Sequence, residues 1–223
     1  MSDLSLLQLV SPALPVGAFS YSEGLEVLIQ SGTLTDEATL ASWLDAELTG
    51  GALRLEAAAL VPMAAELSAW VGQRDDAARC RLLDLDAWLL ATREAAEVRA
   101  QQRQMGQSLG QLMQELGHPL PEPLRLAWPA AWAWAATALE ITPAAMVEGY
   151  LYGWVANQLS AAVRLLPLGP TRAQVLQLRL RPLILEQAEL LQHCDPRQIW
   201  SSGVGASLAQ LAHAELYSRL FRS

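Results

Sequence analysis

The amino-acid sequence predicts an all-α protein, a single domain spanning 1–223 and built from about eight to ten helices. Three observations carry this. Apolar residues recur at helical spacing in one segment after another. Glycine and proline clusters interrupt those segments at intervals. Four Ile, two Phe and no sustained alternation of apolar and polar residues leave little for a sheet.

Taken in order, residues 1–18 read as an N-terminal segment and loop, stiffened by Pro12 and Pro15. Ser20 or Ser22 is placed to cap a helix running through Glu26. Over 36–49, Leu40, Trp43, Leu44 and Leu48 form one stripe, with Thr35 as the expected cap; Gly50-Gly51 ends it. The next helix runs past Leu60 and Trp70 to Gly72, with Pro62 expected to kink or divide it. Residues 75–92 follow through Leu82, Leu85 and Leu89. In the following run Val98, Met105, Leu109, Leu112 and Leu116 are the apolar face. Gln101, Gln104, Gln107, Gln111 and Gln114 read as the solvent face opposite.

A stiff connector, 117–123, precedes the most apolar stretch, 126–147. That stretch contains Glu140 and two prolines, which fits a buried helix hairpin better than a membrane span. Within it, Trp128, Trp132 and Trp134 alternate with alanines, a pattern of close helix packing. Thr142-Pro143 opens a helix to about Leu166, carrying the Gly149–Gly153 pair that lets backbones approach. Thr171 is the expected cap of a helix to about Gln192, and Asp195-Pro196 starts the last helical region. Residues 214–223 read as a tail expected to be mobile. Its aromatic and aliphatic residues alternate with Arg, the composition of an interface anchor.

Composition excludes several function classes. The net charge of −8 argues against nucleic acid. All 15 basic residues are Arg, so neither a Walker A lysine nor a Schiff-base lysine exists. Hydrophobic residues at 52% against 17% charged imply a large core, extensive docking surfaces, or both. Cys80 and Cys194 are expected to be reduced thiols, and the first residues carry no secretory pattern. Ser20-Tyr21-Ser22-Glu23-Gly24 is a near miss to a nucleophile elbow, but it lacks the preceding strand, which leaves a serine hydrolase little support. His193, Cys194 and His213 offer metal-ligand chemistry without ligand spacing. No catalytic residue, cofactor or structural metal is expected.

Four stretches together resemble the UreF family of urease accessory proteins. They are SPALPVGAFSYSEGLE at 11–26, TREAAEVRAQQRQMG at 92–106, SAAVRLLPLGPTRAQ at 160–174 and ELYSRLFRS at 215–223, in family order. Two positions depart from the family pattern: Glu23 stands where Gln is common, and Ala214 separates His213 from Glu215. The resemblance implies a cytoplasmic, homodimeric, non-enzymatic chaperone. It would bridge UreD (UreH in some systems) and the GTPase UreG on apo-urease and promote GTP-dependent nickel insertion. The alternative is a metallochaperone carrying nickel through His193, Cys194 and His213. Expected partner contacts are Phe19, Tyr21, Glu23 and Glu26 in the opening motif, and Arg93, Glu94 and Arg164 in the middle ones. Tyr217, Arg219, Leu220, Phe221 and Arg222 complete the set, becoming ordered when UreD binds.

Overall fold

The computed structural model describes residues 4–223; the first three residues of the expected 1–18 segment lie outside that range. Among the described residues there are ten α-helices and no strands. They are α1 (Leu4–Leu9), α2 (Leu25–Gln30), α3 (Glu37–Gly50), α4 (Leu53–Gln73), α5 (Asp76–Ala91), α6 (Ala96–Glu115), α7 (Trp128–Ala138), α8 (Pro143–Leu165), α9 (Pro170–Leu191) and α10 (Val204–Ala212). Short 3₁₀ turns lie at Ala18–Ser20, Pro196–Gln198 and His213–Glu215.

The helix starts follow from capping chemistry, sometimes one residue from where local sequence suggests. Asp36, not Thr35, caps α3: its carboxylate accepts from the Thr39 amide at 2.9 Å, and the Thr39 hydroxyl accepts from the Asp36 amide. Thr142 caps α8 as expected, with Pro143 in the first turn. At α9 the cap is Gly169 with Pro170 following, ahead of Thr171. Pro62 does not divide α4, which continues to Gln73, where Arg74 in the left-handed region stops it.

α7 is the central element. Pro129, Trp132, Trp134 and all its alanines but Ala138 are buried, and it packs against α4 on one side and α6 on the other. α4 also packs on α5 and α8, and α8 carries α9. Small residues make this possible: Ala57, Ala58 and Ala59 on α4 are wholly buried, as are Ala133, Ala135 and Ala136 on α7. By length and composition α4 alone among the described helices could cross a membrane, yet it lies at the centre of this packing. The 126–147 stretch is the expected helix hairpin, turning at Glu140 between α7 and α8. α10 lies against α2 and α6, so the last helix meets the first motif of the chain.

Candidate functional site

The opening motif folds into a loop held by successive turns. Glu23 (φ 53°) and Gly24 (φ 90°) both take left-handed backbone, turning the Ser22 and Glu23 amides to one side. At Gly24 the backbone angle and the space agree. An added Cβ would stand 3.0 Å from the Gln210 amide nitrogen and 3.1 Å from Ala209 Cβ, both on α10.

Into this loop the chain end is seated. The Ser223 carbonyl accepts from the Ser22 amide (2.8 Å), the Glu23 amide (3.1 Å) and the Ser22 hydroxyl (2.7 Å). The Arg222 amide donates to Ser20 O at 2.8 Å, and the Ser223 hydroxyl donates to Gln101 on α6 at 2.6 Å. The Glu26 carboxylate, at the start of α2, accepts the Leu220 amide at 2.7 Å and the Phe221 amide at 3.1 Å. His213 is fully buried between Glu97 (2.8 Å) and Glu26 (3.4 Å), and Arg219 reaches the other Glu97 oxygen at 2.7 Å. Arg164 covers the Phe221 ring 4.5 Å from its centroid and donates to the Phe19 carbonyl at 3.1 Å. Three of the four signature stretches therefore meet at residues 20–26, and Arg164 brings in the fourth.

Beneath the loop lies a buried polar layer. Glu56 accepts from Arg93, from Gln102 at 2.9 Å and from the Tyr150 hydroxyl at 2.7 Å. Burial works against the Arg93 charge, but Glu56 and Glu23 outweigh it and hold the guanidinium above its ordinary range. Burial likewise pushes the Tyr150 phenol well up, and Glu56 adds to this. Glu23 accepts from Gln101 at 2.6 Å and from the Trp154 indole at 2.9 Å. Burial raises its carboxyl, Arg93 opposes that and Glu56 reinforces it. Beside this layer is a cavity of about 530 Å³ lined by Trp128, Trp132, Tyr150 and Trp154 with Glu23 and Glu56.

The structure sorts the expected contact residues by accessibility. Phe19, Glu94, Arg164, Tyr217, Arg219, Leu220 and Arg222 are exposed. Tyr21, Glu26, Arg93 and Phe221 are buried, and Glu23 is half-buried and turned inward. Glu26 and Arg93 are committed to the internal pairs just described. The local pattern did not single out Gln101, Glu97, Ser223 or Glu56. Glu56 had a signal: it is the one acid in the apolar run 53–63, where Arg54 is the only other charged residue. Gln101 corrects the helix reading, since it is buried at 3% and not on the solvent face of α6.

His193 lies near Glu189 (3.8 Å), Cys194 Sγ meets the Leu190 carbonyl, and His213 is enclosed by Glu26 and Glu97. Among the described residues no three His, Cys, Asp or Glu side chains gather as a metal site.

Comparison with known proteins supplies the class. The UreF family model matches residues 34–181. The urease accessory protein UreF of Prochlorococcus marinus subsp. pastoris MED4 is 38% identical over 220 residues, 96% of each chain. That of Trichormus variabilis is 41% identical over 228 residues, 99% of this chain and 95% of the relative. The second alignment leaves out only about 1% of this chain, so it takes in nearly all of the opening and closing motifs, which fall outside the span of the family model. The class is thus that of urease accessory proteins, named as helper factors and not as enzymes. The chain belongs to the UreF family.

Proposed function

We propose that this protein is a urease maturation chaperone acting in the cytoplasm as a homodimer. It joins UreD (UreH) and the GTPase UreG to apo-urease, so that nickel enters in a GTP-dependent way. What supports the reading is the division of labour around the seated chain end. Its backbone is fastened inward through Glu26 and Ser22 and Phe221 is buried, while two of its large side chains face out: Tyr217 is fully exposed and Leu220 is 53% exposed. Phe19, 66% exposed, belongs to the same loop. Aromatic and aliphatic groups fixed in place by a rigid backbone lose little entropy on docking, which is what an interface anchor requires.

The partner-facing set is then Phe19, Glu94, Arg164, Tyr217, Arg219, Leu220 and Arg222, with Tyr21, Glu23, Glu26, Arg93 and Phe221 shaping it from beneath. Tyr217→Ala combined with Leu220→Ala alters only exposed side chains. The pair is expected to leave the melting temperature within about 2 °C, since surface changes are near neutral. It is expected to abolish co-purification with UreD and urease activation in cells. Complex formation at the unmutated level removes the chain end from the mechanism.

A further inference from the structure

A second, much smaller space lies under α10. It measures about 10 Å³, the room one water needs, and is lined by Glu23, Glu47, Arg93, Trp43, Trp154 and Gln210, with Leu53 and Ala206 closing it. Its charged groups come from three places: Glu47 from α3, Glu23 from the opening loop, and Arg93 from the segment between α5 and α6. The walls from α4, α8 and α10 are Leu53, Trp154, Ala206 and Gln210, none of which titrates. Arg93 is already engaged by Glu56 through both its Nε and a terminal nitrogen. Two carboxyls therefore share the remainder of one guanidinium. Trp43 lines the same space, and its buried indole N–H meets no acceptor among the described residues.

We propose that Glu47 and Glu23 hold one proton between them across this water-sized space, and that the proton keeps α10 seated on the opening loop. With the proton present, one carboxyl donates and the other accepts, through a water that also takes the Trp43 N–H. Without it, two carboxylates line one narrow, largely buried space. The wall that yields is α10. α4 and α8 are core helices, whereas α10 is nine residues long with Val204, Leu208 and Leu211 exposed. It is tied here by a Gln210 side-chain donation to the Glu23 carbonyl at 3.3 Å. Gly51 belongs to the device: a Cβ there would stand 2.3 Å from a Glu47 carboxyl oxygen, so the side chain folds over a bare backbone.

The protonation chemistry agrees in direction. Burial raises the Glu47 carboxyl to about 7, opposed by Arg93 and reinforced by Glu23, and the Glu23 carboxyl is raised as well. The folded state then binds the proton more tightly than the open one, so closure weakens as pH rises from about 4.5 to about 7 and levels off above that.

Hydrogen exchange on the full chain tests this without any partner protein, so its outcome is separate from that of the docking experiment. For one proton with a midpoint near 7, protection factors over 207–212 are expected to fall about tenfold between pH 6 and pH 8. In Glu47→Gln, α10 protection is expected to vary less than about twofold across that range. Carbon NMR of the Glu47 carboxyl in the unmutated chain gives a second reading that does not depend on the variant folding. A Glu47 midpoint near 4.5, or matching α10 profiles in the two chains, overturns the proposal.

Discussion

At Glu56 a single carboxylate organises three elements, because it sits 5% exposed and accepts from Arg93, Gln102 and Tyr150 together. A buried ion pair contributes little net stability over an apolar pair, yet breaking it strands the surviving charge. Glu56→Ala is therefore expected to destabilise the fold by about 3–5 kcal/mol, read from urea unfolding. Replacing both partners, Glu56→Leu with Arg93→Met, should recover much of that loss. If the double variant is no more stable than the single one, the pair is not what links these helices. Asp86 works similarly at smaller scale. It is 2% exposed, pairs with Arg103 at 2.6 Å and accepts the Ala127 amide at 2.8 Å, fixing the entry to α7.

Among the elements, α10 is the one whose seating depends on a few close contacts. Gly24→Ala adds a Cβ against the α10 backbone at a position that also needs φ of 90°. The expected cost is about 1–3 kcal/mol, with faster proteolysis at 200–203 while α4 and α7 stay protected. Equal cleavage rates would mean that α10 tolerates the displacement.

Element identity was largely legible, because periodicity and capping are local properties. The α7 pattern of tryptophan and alanine announced close packing, and Trp128 and Trp132 do contact, with ring centroids 5.5 Å apart. Gln101 shows where residue type misled. It lies three residues after Val98 and four before Met105, so spacing placed it on the buried face, and polarity was read over spacing. The meeting of Ser22 with Ser223 spans 201 positions, and no local pattern encodes such a pairing. The buried roles of Glu26, Arg93 and Phe221 were hidden for the same reason: charge and aromaticity suggest a surface, and only the fold supplies the partners.

On the scale of the whole molecule, the buried acids set the pH response. Glu23, Asp86 and Glu47 are all raised, chiefly by burial, so the folded chain binds protons that the unfolded chain releases. Stability should decline as pH climbs from about 4.5 to about 7 and level off above that, by about 1–3 kcal/mol in all. Asp36, Glu37 and Asp75 shift the other way through hydrogen bonds at the surface, so their contributions fade only in more acid solution. Thermal melts at pH 5.5 and pH 8 check this, with the higher transition expected at pH 5.5.

The seat for residues 219–223 is made from residues 20–26, which are synthesised before the helices that separate the two. Until residues 219–223 emerge, the Ser22 hydroxyl and the Glu26 carboxylate lack the partners that those residues supply, and bringing the two segments together is a non-local contact of the slow kind. A chain lacking residues 219–223 is expected to keep its helical body and to leave this rim of unpaired groups open.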